Sequence, residues 1–237
     1  MKNTISIALK EMKTYFVSPM AYIVMSVYAA ISAYYFITSI SGTLPEATLR
    51  GYIIPSTFVF TLLAPIMTMR LLAEEQKMGT LELLMTAPVR DYEIVIGKFL
   101  AAVASLISLL VPTAYLVLML AWFATPDFGP IITSYIGLTL FGTATLSVGI
   151  LASSLSGNQI VAAVVGMGIL LILSIIDMLS QYLDGIFADL VVQISITSHL
   201  DSFTRGVIDT HDLMFYLIFT VFMIFLAVKS LESRRWR

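Results

Sequence analysis

Imidazole and carboxylate side chains gather in one stretch of this chain. Between residues 180 and 212 stand Asp184, Asp189, His199, Asp201, Asp209, His211 and Asp212, with Arg205 among them. These are side chains that can hold a zinc-type cation. The tightest group, Asp209-x-His211-Asp212, is too compact to enclose an ion without a ligand from elsewhere, so the sequence predicts a solvated connection and no metal site. Other reactive patterns are missing. There is no Gly-x-x-x-x-Gly-Lys-Ser/Thr phosphate loop, so the chain carries no ATPase motif of that kind. There is no Gly-x-Ser-x-Gly and no cysteine, which removes two kinds of nucleophile and any thiolate metal site. No strongly basic surface offers itself to nucleic acid. The expectation is therefore no catalytic residue and no cofactor-binding residue.

A second polar stretch has a different character. Residues 74–88 are charged, and they interrupt an otherwise lipid-like sequence. Glu74, Glu75 and Lys77 are too polar for the bilayer centre, where each charge costs about 2.5–3.5 kcal/mol. Gly79 can break the helix that precedes it. Residues 80–85 suffice for a short helix, on which Leu81 and Leu84 share a face and Glu82 and Leu83 point elsewhere. Pro88 stops that helix. Asp91 then reads as the N-cap of the next one, with Glu93 near its positive end. Lys98 is placed to snorkel to the membrane surface. A helical break, a short amphipathic helix and a capped restart suit a segment that docks in a groove of a soluble partner.

The elements around these stretches are membrane spans. Of 237 residues, 59% are hydrophobic and 12% charged, about half the charge of a soluble domain. Six apolar runs are long enough to cross a bilayer: 20–40, 53–72, 94–123, 131–153, 159–179 and 213–228. The run 94–123 is overlong and should tilt or project. Eleven of the thirteen Lys and Arg residues fall on one side of this plan: Lys2, Lys10, Lys13, Arg70, Lys77, Arg90, Lys98, Lys229, Arg234, Arg235 and Arg237. Arg50 and Arg205 remain opposite. The positive-inside rule makes both termini and the 73–93 loop cytoplasmic, and the 180–212 segment external. Residues 3–16 place Ile5, Leu9, Met12 and Phe16 at helical spacing, which predicts an interfacial helix ahead of the first span. Asp177, the one clear carboxylate in a predicted span, lies near its outer end and suits a cap better than a pathway. Thr57, Thr61, Thr68 and Pro65 in the second span, and Gly142, Ser147, Gly149 and Gly166 later on, read as close-packing surfaces.

The run Glu74-Glu75-x-x-x-Gly79-Thr80-x-Glu82-Leu83-Leu84-x-Thr86-x-Pro88, followed by Gly97-Lys98 opening a span, resembles the permease subunits of type-2 ABC transporters. The nearest resemblance is to small stand-alone permeases of the gliding-motility and copper-site-assembly kind (GldF-like and NosY-like). It extends over nearly the whole chain. It takes in Asn158-Gln159 opening the fifth span and His199-Leu-Asp201-Ser-Phe-x-Arg205-Gly206-Val207-Ile208 in the last external segment.

The resemblance implies an all-α integral membrane domain over residues 1–237. It has six transmembrane helices, an N-terminal interfacial helix over 3–16, and a coupling helix in the cytoplasmic 73–93 loop. It implies an exporter subunit in the plasma (inner) membrane. Glu74, Glu75, Gly79, Thr80, Glu82, Leu83, Leu84, Thr86 and Pro88 would couple it to a separate ATPase subunit. ATP and magnesium would be held by that partner, not by this chain. His199, Asp201, Arg205 and Gly206 would belong to an external gate. A second permease copy or a paralogous permease would complete the pathway, with lipid around it and an auxiliary membrane or periplasmic subunit as a further partner. Two alternatives stay open at this level. An ATPase-linked scaffold that transmits force would share the coupling helix. A secondary transporter is disfavoured, because the spans hold almost none of the paired charges it needs.

Overall fold

The computed structural model describes residues 2–41, 48–80, 89–176, 185 and 191–234. Among them all regular structure is helical. Helix α1 spans Lys2–Val17, α2 Pro19–Ile40, α3 Arg50–Met78, α4 Asp91–Phe123, α5 Phe128–Leu155 and α6 Gln159–Ile175. A 3-10 turn, Ser198–Leu200, runs into the short α7, Asp201–Thr204, and α8 covers Thr210–Arg234.

The starts of these helices follow local chemistry. Ser18 caps α2 by accepting from the Met20 N–H at 3.3 Å, with Pro19 in the first turn, where a missing N–H costs nothing. Asp127 caps α5 and Asn158 caps α6 in the same manner. For α4 the expectation needs correcting: the N-cap is Arg90, not Asp91. The Glu93 carboxylate, three residues on, accepts the Arg90 N–H at 3.1 Å, so the reaching-back acid of a capping box sets the start.

Five helices, α2, α3, α4, α5 and α8, are long and apolar enough to cross a membrane. Helix α6 is equally apolar but has 17 residues, about 26 Å at 1.5 Å per residue. Residues 177–179 of the span predicted over 159–179, Asp177 among them, lie outside the described residues. Helix α3 continues six residues beyond the predicted span, to Met78. Hydropathy ends at Leu72, but Glu, Gln, Lys and Met are good helix formers and carry the helix on.

Helix α5 is the centre of the bundle and the most buried of the long helices, while α2 and α8 are the least. It packs chiefly on α3 and α8. The α3–α5 crossing is close because Gly149 has no side chain. A Cβ there would stand 2.1 Å from Thr68 Oγ1 and 3.3 Å from the Ala64 carbonyl oxygen. Gly142 likewise makes room for Leu106, and Gly166 for Pro65. Small residues thus set the helix spacing, as membrane bundles require.

A buried polar chain crosses the apolar interior. The Tyr28 and Tyr52 hydroxyls meet at 3.0 Å, and Tyr52 donates to Thr113 Oγ1 at 3.2 Å. Thr113 Oγ1 lies 3.0 Å from the Tyr135 hydroxyl. The chain links α2, α3, α4 and α5, and it gives each buried hydroxyl a partner.

Candidate functional site

The end of the bundle that holds α1 also gathers the end of α3, the start of α4 and the ends of α5 and α8. Here Lys98, in the second turn of α4, is 1% exposed. Its Nζ lies 3.0 Å from Glu11 Oε1 of α1 and 2.8 Å from Glu75 Oε1 of α3. The lysine does not snorkel outward. It is enclosed between two carboxylates that are 87 and 23 residues away in sequence. A buried ammonium is tolerable only when paired and hydrogen-bonded, which makes this arrangement costly to disturb.

Neighbouring contacts make the same joints rigid. Gly97 lets α1 lie directly on α4: a Cβ there would meet Ile7 Cβ and the Thr4 carbonyl oxygen, each at 2.9 Å. Asn3 donates to Glu93 at 3.4 Å. Helix α1 turns Ile7, Ala8, Glu11 and Tyr15 toward the protein and leaves Ile5 and Leu9 exposed. Of the apolar stripe read from the sequence, Ile5 and Leu9 therefore face away from the bundle, while Met12 and Phe16 are half-buried.

Helix α3 is tied to α5 just before it ends. Ser153 Oγ donates to the Met69 carbonyl at 3.1 Å and accepts from the Ala73 N–H at 3.0 Å. Those two backbone groups are one rung of the α3 ladder, and the hydroxyl sits against it. Such an intrusion marks a place where a helix can bend. Three residues on, Gln76 donates to the Ser154 carbonyl at 3.0 Å.

Of the residues expected to couple to a partner, the structure describes four. Glu75 turns inward to Lys98, while Glu74 and Thr80 are exposed. Gly79 is the α3 C-cap, with φ 69° and its N–H on the Gln76 carbonyl. This left-handed conformation is one that glycine alone adopts freely. Glu82, Leu83, Leu84, Thr86 and Pro88 lie outside the described residues. A cleft of about 410 Å³ opens between α1, α2, α3 and α4, and Lys10, Arg70 and Glu74 line it beside the Lys98 cluster.

At the opposite end, the four residues assigned to a gate fall in three places. His199 is buried and stacks on Phe215 of α8, with ring centroids 3.8 Å apart. Asp201 pairs with Arg205 at 2.6 Å and with Arg50 of α3 at 3.5 Å. Gly206, at φ 90°, lies against Pro130 at the start of α5. The Thr133 hydroxyl of α5 donates to the Phe203 carbonyl at 2.7 Å. The segment from Ser195 to Gly206 is thereby fixed onto α3, α5 and α8.

The sequence did not reveal the partners of Lys98. Glu11 was visible as a charge in an interfacial helix and Glu75 as a charge in a loop, but no local signal joined them. Arg50, read only as one of two basic residues on the far side, was likewise not linked to Asp201.

Five long apolar helices around a small-residue crossing, with charge at the helix ends among the described residues, define a multi-pass helical membrane protein. The family model described as ABC-2 family transporter protein matches residues 6–228, nearly the full length, and the chain belongs to that family. It is thus an ABC-transporter permease, the membrane component of a system whose ATP is generally hydrolysed by a separate ATPase partner. No curated protein matches the chain.

Proposed function

We propose that this permease receives the stroke of its ATPase partner through residues 74–88 and passes it to three helices together. The observation that carries the reading is the Lys98 cluster. Glu75, four residues before the Gly79 break, shares one buried lysine with Glu11 of α1. A push on the 80–88 connection would then reach α3 and α4 through the chain, and α1 through the ion pairs. The Ser153 contact offers α3 a place to bend under that push.

In this reading the chain has six spans: the five long helices and, fifth in chain order, α6 with the residues that follow it. Both termini and the 73–93 loop are cytoplasmic. The exposed Ile5 and Leu9 of α1 lie in the inner leaflet, where an interfacial helix buries its apolar face. Two copies form the pathway, and two ATPase subunits, which hold the ATP and magnesium, dock on the paired loops. Nucleotide then biases an equilibrium between inward- and outward-facing arrangements. The direction of transport is export, on the strength of the family resemblance.

The test is affinity purification of the tagged chain from its native membrane, with ATPase activity measured in the eluate. A stoichiometric nucleotide-binding protein is expected with the wild type. Glu82→Arg and Leu84→Asp should lose its coupled ATP turnover while inserting normally. Unchanged partner binding and turnover in both variants would overturn the assignment.

A further inference from the structure

The chain has two histidines, twelve residues apart in sequence, and the fold brings both to one place with a carboxylate. His199, His211 and Asp212 each offer a ligand atom, and these atoms lie within 4.8 Å of one another. From this geometry we infer a binding site for a zinc-class divalent cation where the 3-10 turn meets the first turn of α8.

The details favour a built site over a chance meeting. His199 Nδ1 lies 2.9 Å from the Ser195 carbonyl oxygen. A carbonyl can only accept, so the proton is on Nδ1 and the bare lone pair is on Nε2. That is the tautomer in which a histidine ligates a metal, with its other nitrogen held by a second partner. His199 is 5% exposed and clamped against Phe215, so its ring orientation is fixed. Asp212 is braced too. Ser202 donates to its Oδ2, while Oδ1 lies 3.5 Å from His211 Nδ1.

The third ligand is the adjustable one. The His211 side chain is 68% exposed and can swing to close the distances to the roughly 2.0–2.2 Å of zinc–nitrogen and zinc–oxygen bonds. Two imidazoles and one carboxylate suit zinc, and they leave a fourth position for water. A cleft of about 590 Å³ along α8 is lined by His211, so the exposed ligand can be reached by a small ion. The bound cation would add a further link between the Ser195–Gly206 segment and α8, beside the His199–Phe215 stack. The sequence argued against a metal here for want of a distant ligand, and His199 supplies it.

The experiment uses the full-length, tag-free chain in detergent, titrated with zinc and, for its visible spectrum, with cobalt(II). One equivalent should bind, cobalt should give the intense absorption of a low-coordinate site, and zinc should raise the melting temperature. His211→Ala, at an exposed position, should melt like the wild type without metal, yet bind zinc at least about 100-fold more weakly and lose the zinc-induced rise. Ser202→Ala should weaken binding by about 10-fold or more. Absence of stoichiometric zinc binding by the wild type, or equal binding by wild type and His211→Ala, would overturn the proposal.

Discussion

Lys98 Nζ and Glu75 Oε1 stand 2.8 Å apart in a position where 1% of the lysine side chain meets solvent. The pair joins the last turn of α3 to the second turn of α4 on either side of the 80–88 connection. Glu11 on the same ammonium adds α1. Removing the lysine alone leaves two carboxylates facing each other with no cation. Lys98→Met should therefore destabilise the protein by about 3–5 kcal/mol. Lys98→Met combined with Glu11→Gln and Glu75→Gln should recover most of that loss. If the cluster transmits motion, the recovered triple variant will still show reduced partner-coupled ATP turnover. Melting temperature in detergent and ATPase activity of the reconstituted complex separate the two effects.

The close crossing of α3 and α5 makes a prediction about packing alone. Gly149→Ala puts a methyl group 2.1 Å from Thr68 Oγ1, and overpacking of this kind costs about 1–3 kcal/mol. Thr68→Ala removes the obstructing hydroxyl. The double variant should be more stable than the sum of the two single changes predicts, by at least about 0.5 kcal/mol. A thermal-unfolding double-mutant cycle measures this directly, and strict additivity would count against the contact.

Much of this architecture was legible in the sequence, and the illegible parts share a physical cause. The Gly79 break and the small residues of the fourth span depend on local backbone and side-chain size, which the sequence displays. The apolar stripe of α1 was visible too, although only the structure turns Ile5 and Leu9 away from the protein. Lys98 was misread because a lone lysine near a span end usually reaches for water. Its enclosure depends on Glu11 and Glu75 arriving from other helices. His199 and His211 were visible as residues, but not as neighbours, for the same reason. Arg90 displaced Asp91 as the α4 cap because the Glu93 carboxylate, three residues on, already satisfies the Arg90 N–H.

The left-handed turn at Gly79 sets the angle at which the chain leaves α3. Gly79→Ala meets no steric obstacle among the described residues, where no non-neighbouring atom lies within 4 Å of the added Cβ. The penalty is conformational, about 1 kcal/mol. Global stability should change by no more than that. If the turn aims the docking segment, the equilibrium it controls should shift by about fivefold, read as reduced ATPase stimulation.

The tyrosine chain in the bundle interior should contribute through its hydroxyls. Tyr52→Phe removes the group that meets both Tyr28 and Thr113. We expect a loss of about 1–3 kcal/mol, because a buried polar partner is left unmade on one or both sides. Tyr34→Phe, at an exposed position, should change the melting temperature little.

The central claim is that residues 74–88 touch a separate ATPase. The chain has no cysteine, so single cysteines can be introduced without background. Leu84→Cys and Glu82→Cys should each form a disulfide or bismaleimide cross-link to an ATPase subunit carrying a cysteine in its docking groove, with a yield that changes on adding ATP. Ile37→Cys, exposed near the far end of α2, should form none. Cross-linking from Leu84→Cys that matches the Ile37→Cys background, in a membrane where the ATPase is present, would contradict the account.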